Sequence, residues 1–346
     1  MGVTSIQWTD RTWNPVRGCS VISPGCVNCY AMTQAHRFSG EGQPYHGLTK
    51  LTKAGPQWTG RLRPIEDTLL DPLSWRKPQR VFVNSMSDLF HEAVPYEFID
   101  RVFAVMAIAH QHTFQVLTKR PERMCAYFAD STVNERVGMA MNVIVDADAR
   151  AQHPGWFFGP DARWDPLPNV WLGVSVESQK YAGERIPPLL QTPAAGRFIS
   201  AEPLLGPVAV DRWLYDTDDI DGGNLTFGLD WVIVGGESGA GARPFDLAWA
   251  RSIIAQCEAA GTPVFVKQLG ADPRGWCSWP HHDEYPPKML DAHGCDETVG
   301  EPPFTLCHGV GDAWWPCRLK LKDRKGGDIT EWPDDLRIRQ FPAVTR

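Results

Sequence analysis

No run of about 18 apolar residues occurs anywhere in the 346-residue chain, which excludes a hydropathic membrane-spanning helix. The opening MGVTSIQWTDRTWN lacks the basic-then-apolar layout of an export signal, and Ile6 stands where a myristoylation pattern needs Ser or Thr. A cytoplasmic location without membrane partners is therefore expected. Positive charge is also in deficit: 34 Lys and Arg face 41 Asp and Glu, a net charge of -7, so overall electrostatics do not drive nucleic-acid binding. There is no internal repeat and no low-complexity tract. With 43% hydrophobic and 22% charged residues, both disorder and a fibrous architecture are excluded, and one large domain or two can be built.

What the chain does have, from about residue 80 onward, is a rhythm of short β-branched apolar runs that end in polar residues and are followed by helical patterns. The runs are VFVNSMSD (81–88), FQVLTKR (114–120), VWLGVSVES (170–178), RFISAEP (197–203), WVIVGGES (231–238) and PVFVKQLG (263–270). Residues 98–110 and 247–260 carry apolar side chains at three- and four-residue spacing, and Gly261 is placed to stop the second helix. Continuous apolar strands alternating with helices predict an α/β fold with a full or partial parallel barrel. Asp88, Lys119, Glu177, Glu202, Glu237 and Lys267 all fall near the C-terminal ends of these strands, the face on which such barrels build their sites. Residues 130–168 and 205–229 break the rhythm and read as loop insertions. The expected organisation is a barrel over 1–270, a Cys/His/Trp-rich insertion over 271–317 and a basic segment over 318–346.

Nine cysteines in a chain without an export signal point to metal ligation, catalysis or burial rather than disulfides. Three of them, Cys19, Cys26 and Cys29, lie within eleven residues at C-x6-C-x2-C spacing. A turn at Ser23-Pro24-Gly25 folds the first thiol back toward the other two, ahead of the helix-like AMTQAHRF, whose amides favour anionic ligands. Three thiolates leave one position open: an iron-sulfur cubane held this way keeps one iron for a small molecule, whereas a structural zinc site would need a fourth ligand such as His36 or Cys125. Ser85, Ser87 and Asp88 offer acceptors suited to an ammonium group, and Glu177 suits a ribose hydroxyl pair. Lys119 and Arg120 suit a carboxylate or phosphate, with Glu202, Glu237 and Lys267 on the substrate side.

On the cysteine motif and the strand-helix series the chain resembles radical S-adenosylmethionine enzymes. It resembles more closely the phage-associated three-Cys-motif proteins, through WTDRTWNPVRGCSVISPGCVNCYA, NSMSDLFH, VLTKRPER, LGVSVES, SAEPLLG, VIVGGESG, VKQLG, LKDRKGGD and EWPDDLRIRQFP. The resemblance implies a partial barrel with a [4Fe-4S] cluster on Cys19, Cys26 and Cys29, S-adenosylmethionine at the free iron, an external electron donor and radical chemistry. Strand order, not the resemblance, then assigns cofactor binding to Tyr30, Ser85, Ser87, Asp88, Lys119, Glu177 and Glu202, and catalysis to Glu237 and Lys267. Six residues stand between the first two cysteines where the radical enzymes usually have three, and Asn28 precedes the third where they have an aromatic. The Gly-Gly-Glu element expected after the second strand is replaced there by Ser85 to Asp88.

Cys277, Cys295, Cys307 and Cys317, interspersed with His281, His282, His293 and His308, allow a second metal site or simply buried thiols. Trp276, Trp279, Trp314 and Trp315 suit a core or a base-stacking platform. Arg318, Lys320, Lys322, Arg324 and Lys325 form a basic stretch that, with Lys119-Arg120, would steer a phosphate-bearing substrate. Two functions follow as expectations: a radical enzyme that modifies or repairs a nucleic-acid base or nucleotide (DNA or RNA), or a non-radical zinc- or iron-sulfur-binding nucleic-acid interaction protein.

Overall fold

Apolar runs bounded by polar residues become the strands of one sheet. The computed structural model describes residues 4–145, 164–218, 225–226, 228–278 and 314–343. The strands are β1 (Arg11–Trp13), β2 (Arg80–Val83), β3 (Thr113–Thr118), β4 (Val170–Ser175), β5 (Gly196–Ala201), β6 (Trp231–Gly235) and β7 (Val264–Gln268). They lie side by side in chain order, and every neighbouring pair is parallel. The six runs read from the sequence are β2 to β7. The seventh strand, β1, is three residues long and carries too little pattern to be read.

All residues of β4, β5 and β6 are buried, as a sheet covered on both faces requires. On the convex side lie α2 (Tyr96–Ile108), α3 (Pro121–Ala129), α4 (Val133–Ile144), α5 (Gln179–Gln191) and α6 (Leu247–Ala260), with α2 packed on α4 and α3 on α5. Val81, Val83, Val116, Leu172, Ile199 and Val232 point into that layer. The alternate residues Phe82, Trp171, Phe198, Trp231, Ile233 and Phe265 fill the concave side around Trp8. The stretch 130–168 contributes α4, and its Trp164 and Leu167 are buried in the convex layer. Val208, Val210, Trp213 and Leu214, in the other stretch read as an insertion, are buried there too.

The sheet is a curled, open half-barrel. Among the described residues no ladder joins β1 to β7, so a closed barrel is not formed. At the β7 edge the chain's C-terminal segment takes the place of a further strand: Val266 N donates to Ile338 O at 2.8 Å and Gln340 N to Val264 O at 3.0 Å. Phe341 then lies against Trp231 and Phe265, with ring centroids 5.5 and 5.2 Å away, and under the Arg80 guanidinium at 4.2 Å. Arg80 and Trp231 open their strands, so this plug sits at the N-terminal end and leaves the C-terminal end as the mouth.

β8 (Pro273–Ser278) and β9 (Trp314–Arg318) form an antiparallel pair beside the two-residue strand Phe245–Asp246. Cys277, Cys317, Trp276, Trp314 and Trp315 lie on these two strands, while Trp279, Cys295, Cys307, His281, His282, His293 and His308 lie outside the described residues. No helix among the described residues is long and apolar enough to cross a membrane.

Candidate cofactor site at the half-barrel mouth

The cysteine loop enters from β1 and lies across the mouth. Pro24–Cys26 make a single 3-10 turn entered from an extended Ser23, and Cys29 caps the start of α1 (Tyr30–Arg37). Cys19, Cys26 and Cys29 line one cleft of about 180 Å³ together with Tyr30, Trp58, Asp88, Lys119, Glu202 and Lys267. The thiols act electrostatically on one another. Burial, reinforced by the Asp88 carboxylate and the other two cysteines, pushes the Cys19 thiol up to about 12. Burial also raises Cys29, against the opposing pull of the Ala31 amide and the Lys119 charge.

Each interval of the motif is tied down by a charged residue from a different strand end. After Cys19, the Ser20 hydroxyl accepts from Arg120 Nη2 at 2.7 Å. Between Cys19 and Cys26, Ser23 Oγ donates to Glu177 Oε1 at 2.7 Å, and the Gly25 backbone passes so close that a Cβ there would lie 2.4 Å from the same carboxylate. Between Cys26 and Cys29, Asn28 Nδ2 donates to Glu237 Oε2 at 2.9 Å. The strand-end residues are themselves fixed. Arg120 also donates to Asp88 and Glu92, each at 3.0 Å, Arg185 donates to Glu177 at 3.0 Å, and Arg243 clasps Glu237 through Nη2 and Nε at 2.6 and 3.0 Å. Burial pushes the Glu237 carboxyl up, but the bonds from Arg243 and Asn28 outweigh it and hold the group below the usual range.

Asp88 lines the cleft, yet both of its oxygens are occupied. Oδ1 accepts from Thr118 Oγ1 at 2.7 Å and Phe90 N at 3.0 Å, and Oδ2 from Lys119 N and Arg120 Nη1 at 3.0 Å each. Glu177 is fully buried behind the loop, its carboxylate bonded to Ser23 and Arg185. Ser87 Oγ donates to Val16 O at 2.8 Å and Ser85 Oγ to Asn14 Oδ1 at 3.2 Å, which fastens β2 to the approach of the loop. Tyr30 OH donates to Ser85 O at 2.7 Å and leaves its ring at the mouth. On the opposite wall Lys267 Nζ and Glu202 Oε1 pair at 2.6 Å, with Gln268 Nε2 donating to the same oxygen at 3.1 Å. Lys119 Nζ lies 3.7 Å from Glu177 Oε1.

Ser20, His91 and Glu92 sit together but do not form a nucleophilic triad. Ala93 N donates to His91 Nδ1 at 3.1 Å, so the ring proton belongs on Nε2, which faces Ser20 Oγ at 2.9 Å. Ser20 thus accepts from both His91 and Arg120, and His91 is no base for it.

His36 bonds to Thr49 and Ser39 and Cys125 sits on α3, so neither joins the three cysteines in the cleft. Among the described residues no three His, Cys, Asp or Glu side chains are grouped to hold a single metal ion.

Sequence reading missed Ser20, Ser23 and Asn28, although they occupy the polar positions between the cysteines. Arg185 and Arg243 had no signal of their own, because each becomes functional only when a helix or turn carries it back to its carboxylate.

No curated protein and no solved structure matches the chain. A family model described as "Protein of unknown function (DUF5131)" matches residues 3–297, a span that holds the cysteine loop and all seven strands of the half-barrel. The chain, with its three-cysteine loop laid over the mouth of an open parallel half-barrel, belongs to that family.

Proposed function

We propose that this protein is an iron-sulfur enzyme of the radical S-adenosylmethionine type that modifies or repairs a nucleic-acid base or nucleotide. One observation carries the reading. Three thiols on a single loop, fastened at every interval to a separate strand end, surround a cleft at the end of a parallel sheet where chemistry is built. The donor set fits such a cluster: Cys19 and Cys29 pack with Met86 against the apolar group of Ala31, Met32 and Trp58, while Lys119 and Arg120 offset the charge of the thiolates. Cys19, Cys26 and Cys29 would hold a [4Fe-4S] cluster, which, when bound and supplied with an electron by an external donor, would provide the one-electron chemistry for reductive cleavage of S-adenosylmethionine and hydrogen abstraction from the substrate.

The chain's own residues divide into two groups. Arg120, Glu177 and Glu237 act through Ser20, Ser23 and Asn28 to hold the loop in one shape, so they are positioning residues. Lys119, Tyr30, Glu202 and Lys267 face the cleft and are the ones that touch bound molecules. Lys119 balances a carboxylate, the Tyr30 ring offers a stacking wall, and the Glu202-Lys267 pair holds a proton at Oε1 or Nζ against the substrate.

Anaerobic reconstitution tests the reading. The expected result is about four iron and four sulfide per chain, abolished by Cys19→Ala, Cys26→Ala or Cys29→Ala, and 5'-deoxyadenosine on adding S-adenosylmethionine and a strong reductant. One zinc and no iron would overturn the cluster. A loaded protein that neither binds nor cleaves S-adenosylmethionine would overturn the radical chemistry.

A further inference from the structure

The segment that carries the cysteines differs in charge from the rest of the molecule. Between Val16 and Arg63 stand Arg17, Arg37, Lys50, Lys53, Arg61 and Arg63 against one acidic residue, Glu41, in a chain whose net charge is -7. Arg37, Lys50, Lys53, Arg61 and Arg63 are exposed. Among the described residues none of the six enters an ion pair: Arg37 donates to Gln34, Arg63 donates to His46 O, and Arg17 lies over the Tyr45 ring. In the basic segment 318–325 Arg318 pairs with Asp272, whereas Lys320, Lys322, Arg324 and Lys325 are exposed and enter no ion pair among the described residues, and Arg120 is buried among Asp88, Glu92 and Ser20. The phosphate-steering surface expected from those residues is therefore partly neutralised.

The basic segment is continuous with the cleft. Arg17 pairs with Arg63 in a short antiparallel ladder, and the Arg61 carbonyl presses on Gly18, the residue before Cys19. The hairpin Thr49–Thr52 and Gly55–Trp58, which carries Lys50 and has Lys53 in its turn, packs on α1 and ends in Trp58, a wall of the cleft. Tyr30 at the start of α1 and Phe38 at its end are both exposed.

We infer that this cysteine-bearing lobe is a docking surface for single-stranded nucleic acid, whose phosphates lie along Arg37, Lys50, Lys53, Arg61 and Arg63 and whose bases stack on the exposed aromatics as the strand enters the cleft. Unpaired cations meet the phosphates without first breaking internal ion pairs, and exposed rings favour unpaired bases over a duplex. The inference rests on the reading of the cleft as the place where a base is modified, and it names the surface that delivers the base.

Fluorescence anisotropy with labelled oligonucleotides of about 20 nucleotides tests it on the whole protein, with and without the cluster. The combined variant Lys50→Glu, Lys53→Glu, Arg61→Glu is compared with a control, Lys320→Glu, Lys322→Glu, Arg324→Glu. The expected result is single-strand binding tighter than duplex binding, weakened about tenfold or more in the lobe variant and little in the control, with a salt slope shallower by about two to three. Iron content and 5'-deoxyadenosine formation in the absence of substrate stay at wild-type levels in both variants, which separates failure of docking from failure of the cluster reading. Equal affinity of the lobe variant and wild type, an equal loss in the control, or no binding at about 50 mM salt would overturn the inference. So would displacement of the oligonucleotide by poly-glutamate as effective as by unlabelled oligonucleotide, which would assign the surface to an acidic protein.

Discussion

At the scale of single residues, buried charges at the strand ends hold one loop. Glu177 has no exposed surface and divides its carboxylate between Arg185 and Ser23. Glu177→Ala leaves Arg185 buried without its partner and should cost about 3–5 kcal/mol, read as a fall in denaturant midpoint, with loss of cluster loading. Gly25→Ala puts a methyl group onto the same carboxylate from the other side, at 2.4 Å, and should lower iron content while leaving the far-ultraviolet circular dichroism unchanged. Glu237 sets a pH dependence. Its folded-state pKa is depressed, so its contribution to stability is present above the ordinary carboxylate range and is lost as pH falls through the folded value. Melting temperatures of wild type and Glu237→Gln should therefore differ at neutral pH and converge in acid. A constant gap down to the acid limit would contradict the Arg243-Asn28 clasp.

At the scale of elements, local chemistry and packing agree in α6. Asp246 caps it by accepting from Ala248 N at 2.9 Å, and Gly261 ends it at φ 71°, where a side chain is strained. Asp246→Ala and Gly261→Ala should each cost about 1 kcal/mol in chemical denaturation without touching the cluster. The same consistency made β2 to β7 readable, because a strand buried on both faces must be apolar along its length. Two things escaped. The strand β1 is only Arg11–Trp13 and is held by pairing with Val81 to Val83 rather than by its own pattern. Residues 205–214 carry Gly206, Pro207 and Asp211 and no strand or helix period, yet Val208, Val210 and Trp213 are buried in the layer that holds α6, a destination that periodicity does not encode.

At the scale of the whole molecule, segments outside the sheet cover its concave face and its β7 edge. Trp8 enters the concave face with its ring 4.6 Å from Phe82 and 6.2 Å from Trp231, and Ile338 to Phe341 cover the β7 edge. Removing residues 338–346 exposes that edge together with Trp231 and Phe265, so the truncated protein should bind a hydrophobic dye and melt several degrees lower. Unchanged melting would show that the half-barrel is self-sufficient. The plug also fixes the polarity of the molecule: with the N-terminal end of the sheet filled by aromatic rings, the loop of cysteines has only the other end to cover.

The sequence by itself determined that this is a parallel strand-helix protein whose cysteine triplet and strand-end charges belong together. Apolar runs, helix stops and a tight C-x6-C-x2-C spacing are local properties that no partner is needed to reveal. Only the tertiary structure decided which of those charges are tied up by partners of their own and which are left to the cleft. Asp88, Glu177 and Glu237 looked alike at strand ends, but a buried carboxylate must be paired, and the arginine that pairs each came from the next strand end 32 residues on for Asp88, a helix eight residues on for Glu177 and a turn six residues on for Glu237. The curl of the sheet brought those partners within reach, and it left Lys119, Glu202 and Lys267 on the open side.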